Sequence, residues 1–348
     1  MCIRDSFTGI LFGLFPAIEA SRVDLNTALK ESSSRSGTGF RQSKMRSLLV
    51  ITEVSLALIL LIGAALLIRT FIALRHVNPG FDPHDILTLE MSLTGDRFQK
   101  TAGVAQLSLE GRQRLNAIPG VEVSTSTCCL PLEGGFGLPF DIGRPHGKDP
   151  NTGGAGWMNT APGYFATFHI PIRGRDFTDQ DTAAAPLVVI INESMAKKYW
   201  PKEDPIGQQI VIGHNVGPQF DEPARQIIGV AGDIRDGGLN RDPRELMIVP
   251  QAQVTDGMTA LNAGIGPIAW LVRTHGDPHQ YISAVTEQLR QASGGFPVAR
   301  VRPMTEVVAN STAREDFNML LLTTFGASAL ILAAIGIYGL MALSLIHI

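Results

Sequence analysis

The chain has 348 residues, with 29 Lys and Arg against 32 Asp and Glu, so its formal net charge is -3. Charged residues make up 18% and hydrophobic residues 45%, whereas soluble proteins average about 25% charged. This composition excludes a disordered chain, and the near-neutral charge disfavours a nucleic-acid partner, because phosphate contacts need a concentrated basic face. Three cysteines, two of them adjacent at Cys128 and Cys129, are too few for a disulfide framework or a four-cysteine zinc site.

One short and two long apolar segments hold much of the hydrophobic sequence. The short one, residues 7–18, covers 12 positions, and we interpret residues 1–18 as a truncated transmembrane helix, since a complete span needs about 20. A signal peptide is disfavoured, because Asp5 lies where such a peptide is basic and no small-residue cleavage motif follows. Residues 19–47 contain six Lys and Arg and are predicted to be a cytoplasmic linker, because positive charge concentrates on that side.

The two long segments are predicted to be transmembrane helices. Leu48–Ile68 has 21 residues with one charge and belongs to a predicted helix and stalk over 48–74. Met319–Leu343 has 25 residues with no charge and belongs to a predicted helix over 318–344. Because the basic linker precedes the first helix, residues 75–317 are expected outside the cytoplasm.

Five residues in these helices are candidate functional positions. A charge inside a bilayer is costly, so Glu53 is a candidate for coupling, with interfacial packing or a pair with a nearby basic residue as the alternative. Small residues let membrane helices approach closely, and the candidates for such packing are Gly63, Gly326, Gly336 and Gly339.

The outside segment, of roughly 240 residues, is long enough to bury its own core. Its first part, 75–149, predicts a strand, a helix and a strand, and its last part, 253–317, repeats that order. The Gly- and Pro-rich middle, 150–252, predicts four strands and a helix at Glu193–Tyr199. The expected fold class is an α+β membrane protein, in which transmembrane helices flank two β-α-β units and an inserted small α+β subdomain.

Several short motifs occur in a fixed order along this chain. They are Pro162-Gly163-Tyr164-Phe165, the run from Pro171 to Phe177, Ile191-Asn192-Glu193, Asp204-Pro205-Ile206-Gly207, Ile228-Gly229-Val230, Phe317-Asn318 and Gly336-Ile337-Tyr338-Gly339. With them the chain resembles the permease subunit of MacB/FtsX-type ABC transporters over nearly its whole length. Residues 15–30 resemble the end of a permease unit, so the resemblance favours the duplicated orphan permeases, with this chain spanning the end of the first unit and the start of the second.

The resemblance implies a periplasmic core domain at 75–317, in a multi-pass protein of the bacterial inner (plasma) membrane. A split β-α-β module, 75–149 and 253–317, would carry the inserted subdomain, 150–252. The implied partners are a separate ABC ATPase subunit, membrane lipid, a second permease unit in the same chain or in a dimer, and a periplasmic adaptor or hydrolase.

Three sequence motifs for nucleotide binding or catalysis do not occur in the chain. The loop G-x-x-x-x-G-K-[ST], which cradles ATP phosphates, does not occur, so the ATPase is expected on a separate chain. H-E-x-x-H and G-x-S-x-G do not occur either, and no catalytic residue, cofactor site or metal site is predicted.

Two clusters of polar residues are interpreted as local structure. His275 and His279 flank a predicted helix start at Asp277-Pro278, which favours a solvated turn over a metal site. Three acidic residues are interpreted as caps and turn formers rather than as a carboxylate cluster: Glu193, Asp233 and Asp236.

The function expected is that of a non-enzymatic permease subunit for export or mechanotransmission, which transmits cytoplasmic ATPase cycles to the outer domain. The segments expected to carry the movement are Arg69–Val77 and Thr305–Asn318, which continue the membrane helices. The alternative is an FtsX-like membrane regulator that activates a periplasmic cell-wall hydrolase. A membrane-tethered sensor or enzyme would need a polar cleft with clustered acids or bases.

Overall fold

The computed structural model describes residues 39–75, 77–143, 152–213, 216–218, 220 and 222–346. The described residues fall into two compact units, one within residues 1–66 and 321–348 and the other within residues 67–320. Residues 1–18 and the first part of the predicted linker 19–47 lie outside the described residues.

The described residues contain eight α-helices and eleven strands. The helices are α1 (Gly39–Arg75), α2 (Thr101–Asn116), α3 (Tyr164–Phe168), α4 (Glu193–Tyr199), α5 (Asp256–Ile265), α6 (Ile282–Ser293), α7 (Met304–Asn310) and α8 (Ala313–Ile346). The strands are β1 (Ile86–Met91), β2 (Val121–Thr127), β3 (Phe136–Asp141), β4 (Gly153–Thr160), β5 (Ile172–Gly174), β6 (Val188–Asn192), β7 (Gln209–Ile212), β8 (Arg225–Ala231), β9 (Leu246–Pro250), β10 (Ile268–Thr274) and β11 (Ala299–Pro303).

Two β-α-β units form one end of the sheet; the sequence pattern predicted the two units, and the structure shows that their strands interleave. The strand order is β11-β1-β10-β2, and each neighbouring pair is antiparallel. Strands β1 and β2 are therefore parallel and joined through α2, with β10 inserted between them. In the same way β10 and β11 are joined through α6, with β1 inserted between them. Both units are thus split, and neither can complete its sheet without the other.

Helices α2 and α6 cover one face of this four-stranded sheet. Apolar residues recur at helical spacing in α2, so Leu107 and Leu115 enter the same core as Leu289 of α6 and Trp270 of β10. Gly111 lies where α2 crosses Trp270, and a β-carbon on Gly111 would stand 2.2 Å from the indole ring. The close approach of helix and sheet therefore depends on a residue without a side chain.

The other strands close into a ring in the order β4-β3-β7-β8-β6-β9, because β9 also pairs with β4 in parallel. Side chains from all six strands fill one core, among them Phe140, Trp157, Ile191, Ile212 and Met247. Strand β5 pairs with β8 beside this ring. Ring closure leaves few open edges, which protects a sheet of short strands against pairing with other chains.

Strand β4 connects the ring to the four-stranded sheet. Its last residue, Thr160, pairs with Thr127 of β2, while residues 156–160 pair with β9. Strand β3 precedes the predicted insert yet pairs within the ring, so the ring begins before residue 150. The sequence FGLPFD of β3 contains Gly and Pro, which are depleted in strands, and for that reason the pattern did not indicate a strand there.

Long apolar stretches occur in α1 and α8. Among the described residues, Phe317–Ile335 of α8 is the one stretch that is long and apolar enough to cross a membrane, whereas Val54–Thr70 of α1 is shorter. Large apolar side chains such as Leu48, Ile59 and Phe325 are exposed along these helices. The predicted flanking of the outer domain by two spans stays a prediction.

Candidate functional site

Both segments that connect the long helices to the sheet enter one hydrophobic core. Residues 77–85 lead from α1 to β1, and α7 leads from β11 to α8. Phe81 of the first connection is 5% exposed, and Met304 and Val307 of the second are 0% and 1% exposed. All three belong to one cluster, which also contains Ile190 and Ile248 of the ring. We call this cluster the junction core.

Aromatic side chains of α3 form the centre of the junction core. The Phe81 ring meets Phe168 edge-on, with 4.9 Å between ring centroids, and Tyr164 meets Phe168 in the same way at 5.1 Å. Edge-to-face pairs of this kind contribute about 0.5–1.5 kcal/mol beyond the area they bury. The motif Pro162-Gly163-Tyr164-Phe165 thus places aromatic rings directly against the incoming connection.

A buried arginine ties the incoming connection to α3. Arg273 of β10 is 4% exposed; its Nε donates to the Thr167 backbone oxygen at 2.7 Å and its Nη2 donates to the Asp82 backbone oxygen at 3.2 Å. The Asp82 backbone N–H donates to the Phe168 oxygen at 2.9 Å. Because hydrogen bonds from a charged donor in a buried site are strong, this network fixes residue 82 against both β10 and α3.

The Asp82 carboxylate is the acidic member of this network. Its Oδ2 lies 3.3 Å from Arg273 Nη2 and 3.2 Å from His169 Nδ1, and its Oδ1 lies 2.8 Å from His84 Nδ1. Burial raises the pKa of Asp82, but hydrogen bonds from His84 and the charge of Arg273 outweigh it and lower the pKa to about 2. Asp82 is therefore ionised at all ordinary pH values.

The incoming connection also contacts the loop between β8 and β9. Gly80 has a φ of +86°, and a β-carbon on it would stand 2.0 Å from the Asp233 backbone oxygen. The Arg235 backbone N–H donates to the Pro79 oxygen at 2.9 Å. This backbone-to-backbone contact requires glycine at position 80, both for its conformation and for its lack of a side chain.

Asp233 links that loop to the start of α4. Its Oδ1 accepts from Asn192 Nδ2 at 2.7 Å and from the Ser194 backbone N–H at 2.8 Å. Asn192 caps α4, since its Oδ1 accepts from the Met195 backbone N–H at 3.1 Å. Asp233 therefore acts as a structural cap and turn residue, while Asp236 pairs with Arg244 at 2.6 Å.

Four charged residues lie at β1, β11 and the β2–β3 loop, and β11 directly precedes the outgoing connection. Glu90 of β1 is buried and pairs with Arg300 of β11, with 3.2 Å between Oε1 and Nη1. Arg302 of β11 lies 3.5 Å from Glu90 and also pairs with Glu133 of the β2–β3 loop. Since a buried carboxylate without a partner is strongly unfavourable, this quartet holds β11 against β1.

A cleft of about 570 Å³ opens beside these charges. It is lined by Glu90, Glu133, Arg300 and the adjacent cysteines Cys128 and Cys129, together with residues of α5 and α7. The two carboxylates are balanced by Arg300 together with Arg302, because all four residues pair within the quartet.

The surroundings of two predicted helix-packing residues are described. Gly326 of α8 is buried, and a β-carbon on it would lie 3.7 Å from the Ala64 β-carbon of α1. A β-carbon added to Gly63 of α1 would have no atom of the described residues within 4 Å, apart from its own helix backbone and its chain neighbours. The remaining predicted residues are Glu53, Gly336 and Gly339. They lie in these helices, but the structure does not describe the surroundings of their side chains.

The predicted helix start near His275 and His279 is confirmed. Asp277 caps a short 3-10 helix at Pro278–Tyr281 by accepting from the His279 backbone N–H, with Pro278 at the first helical position. Within the described residues, no group of three or more His, Cys, Asp or Glu side chains is arranged to hold a metal ion.

The junction core was not identified from the sequence. Asp82 and Arg273 are 191 positions apart, and no local pattern connects them. The sequence signal for this segment is its turn residues Pro79, Gly80 and Pro83, because a Pro/Gly cluster beside a strand indicates a turn with a restricted backbone conformation.

Comparison with known proteins agrees with this architecture. The family model described as the MacB-like periplasmic core domain matches residues 55–292, more than half of the chain. The comparison with curated proteins gave no match.

Two solved structures are similar to this chain over part of its length. The periplasmic region of MacB from Actinobacillus actinomycetemcomitans is 15% identical, with 66% of this chain and 94% of that chain covered and a TM-score of 0.44. The extracellular domain of the noncanonic ABC-type transporter YknZ from Gram-positive bacteria is 20% identical, with 61% and 100% covered and a TM-score of 0.36. By the match of the family model, the chain belongs to the family of MacB-like periplasmic core domains, which are domains of ABC-type permeases.

Proposed function

We propose that the chain is a permease subunit of an ABC-type export or mechanotransmission system, in which cytoplasmic ATPase cycles move the outer domain through its two helical connections. The observation that carries this proposal is the junction core, where Phe81 of the incoming segment and Met304 and Val307 of the outgoing segment share one cluster.

Close packing makes the junction core suited to transmitting displacement. Protein interiors are packed as densely as organic crystals, so a core cannot stretch continuously when its edges move. A shift of one connection relative to the other must be met by a rigid movement or by a change to a second arrangement. Since the core includes ring residues such as Ile190 and Ile248, the ring would follow that movement.

Hydrogen bonds and ion pairs close to the sheet would limit the movement of each helical connection relative to the domain. The incoming connection is held by Arg273 through Asp82 and by the β8–β9 loop through Pro79. On the outgoing side, Met304 of α7 directly follows β11, whose Arg300 and Arg302 are paired with Glu90. Both connections are thus fixed at residues close to where they meet the sheet.

The proposal includes a membrane arrangement and partners. Helices α1 and α8 would both cross the bacterial inner membrane, and a separate ABC ATPase subunit would act from the cytoplasm. The exposed apolar side chains along α1 and α8 support contact with lipid. A second permease unit, in the same chain or in a dimer, would complete the membrane part, as in the duplicated permeases.

The test is stimulation of a partner ATPase by the chain in lipid vesicles. The proposal predicts stimulation that is lost when residues 69–77 are replaced by a flexible Gly/Ser segment, with the outer domain still folded by circular dichroism. Stimulation that survives the flexible segment would contradict mechanical transmission. Absence of any stimulation, together with binding of a cell-wall hydrolase to the outer domain, would support the FtsX-like regulator instead.

A further inference from the structure

The adjacent cysteines form the least explained feature of the outer domain. The Sγ atoms of Cys128 and Cys129 lie 2.7 Å apart, and both residues are free and half-buried. Both line the cleft beside Glu90 and Glu133. Neither thiol belongs to the junction core's hydrogen-bond network or to the charged quartet.

The surroundings of the two thiols differ. Cys128 packs against both the junction core and the core of the ring, and the Asn159 backbone N–H donates to its sulfur at 3.4 Å. The backbone around Cys129 is held by Thr127, whose Oγ1 donates to the Cys129 oxygen at 3.3 Å. The pair therefore lies where β2 leaves the sheet, beside β4, in a fixed position.

We propose that Cys128 and Cys129 are a thiol–disulfide exchange site, which takes an external disulfide as its oxidant and closes a disulfide between the two neighbours. Their sulfurs already lie within about 0.7 Å of bonding distance, because an S–S bond is about 2.05 Å long. The proposal rests on the proposed function, in which the domain that contains the two cysteines lies outside the cytoplasm. External disulfides persist there, because that compartment is oxidising.

The exchange proceeds in two balanced steps. The Cys129 thiolate attacks one sulfur of the external disulfide, so that a mixed disulfide forms and one external thiolate leaves. Cys128 then loses its proton to solvent and attacks the Cys129 sulfur, and the second external thiolate leaves. Two cysteine thiols are oxidised, and one external disulfide is reduced to two thiols.

Electrostatics assign the attacking role to Cys129. A hydrogen bond from the Cys128 thiol lowers the pKa of Cys129, and Arg244 lowers it further, against opposing effects of burial and Asp236. Burial raises the pKa of Cys128. Because the thiolate is the nucleophile, Cys129 reacts first and Cys128 resolves the mixed disulfide.

Backbone geometry makes this disulfide easily reversible. Adjacent Cα atoms lie about 3.8 Å apart across a trans peptide, whereas ordinary disulfides join Cα atoms about 4.4–6.8 Å apart. The bond would therefore be strained and readily reduced, as regulatory disulfides are.

The test equilibrates the full chain with buffers of oxidised and reduced glutathione, blocks free thiols with N-ethylmaleimide, and determines the mass of the peptide containing residues 128 and 129. The substitution Cys2→Ser removes the third cysteine from the background. The expected product in oxidised glutathione is a peptide that is two hydrogens lighter than the dithiol peptide and carries no maleimide. After transfer to reduced glutathione, the same peptide should carry two maleimide adducts. Two maleimide adducts or stable glutathione adducts under all conditions would overturn the proposal.

Single substitutions test the order of the steps. In the variant Cys128→Ser, the remaining Cys129 should form its glutathione adduct at least several-fold faster than Cys128 does in the variant Cys129→Ser. This difference in rate should disappear when the chain is unfolded in urea. Equal rates in the folded chain would overturn the assigned roles. No ATPase takes part in these measurements, so their failure is distinguishable from failure of the proposed function.

Discussion

Gly80 and Asp233 are in backbone contact, so close that a β-carbon on Gly80 would lie 2.0 Å from the Asp233 oxygen. This contact joins the chain arriving from α1 to the β8–β9 loop, whose Asp233 side chain in turn caps the start of α4. A substitution that moves residue 80 away from this loop would therefore loosen the incoming connection. It would leave the hydrophobic contacts of the junction core unchanged.

Gly80→Ala should destabilise the outer domain by more than its backbone strain alone. An alanine at positive φ costs about 1–2 kcal/mol, and the clash with the Asp233 oxygen adds to it. The matched control is Gly276→Ala, since Gly276 has a φ of +83° and no atom within 4 Å of an added β-carbon. Urea unfolding of both variants compares the two effects, and equal losses of stability would show that the contact is not close.

Stability should fall in acid through Asp82. Its pKa is lowered from 3.8 to about 2 in the folded chain, so the folded state binds the proton less tightly than the unfolded state does. The contribution is therefore complete above about pH 4 and is lost as the pH falls towards 2. After allowance for solvent screening of this partly exposed side chain, it amounts to about 1 kcal/mol.

The variant Asp82→Asn checks this assignment. Its free energy of unfolding should be lower than that of the parent chain at pH 5 and should approach the parent value near pH 2. Unfolding in urea at several pH values measures both chains. A difference that stays constant over this range would exclude Asp82 as the titrating group.

Arg273→Met should be strongly destabilising. The substitution keeps much of the apolar stem but leaves the Thr167 oxygen and the Asp82 carboxylate without their charged donor. Removing one partner of a buried charged network costs about 3–5 kcal/mol. Arg290→Met is the control, because Arg290 is exposed and pairs with Glu287 on the same helix, and it should change stability by about 0.5 kcal/mol or less. Similar losses for the two would contradict a buried role for Arg273.

Gly326 should be more sensitive to substitution than Gly63, although the sequence presents both as small residues in apolar helices. A β-carbon at position 326 would lie 3.7 Å from the Ala64 β-carbon, so a larger side chain there would crowd Ala64, whereas a β-carbon at position 63 has no described atom within 4 Å. We expect Gly326→Ile to lower the thermal stability of the chain in detergent and Gly63→Ile to leave it within error. The reverse order would show that α1 and α8 pack through other faces.

Local sequence signals were sufficient for part of the fold. Helix Glu193–Tyr199 and strand Gln209–Ile212 have the predicted bounds, because Asn192 supplies a cap and the strand is apolar with turns on both sides. Strands β3 and β4 were missed, since their glycines give no strand signal and their stability comes from closure of the ring. Tertiary pairing, which a local pattern cannot contain, decides these elements.

The functional site was less accessible to sequence reasoning than the fold. Pro162-Gly163-Tyr164-Phe165 was recognised as a motif, but its contact with Phe81 joins residues far apart in the chain. Contacts of Arg273 with Asp82 and of Gly80 with Asp233 have the same long-range character. The role of Glu53 stays a prediction.

Transmission through the junction core is the central claim, and Phe81→Ala tests it most directly against Phe98→Ala. Phe98 is also a buried phenylalanine with one edge-on aromatic partner, but it lies in the core under α2 and α6, which receives neither connection. Each substitution should cost about 3–5 kcal/mol through the cavity it leaves. ATPase stimulation in lipid vesicles should fall several-fold in Phe81→Ala and remain near the parent value in Phe98→Ala, at a temperature where both are folded. Equal stimulation in the two variants would contradict transmission through the junction core.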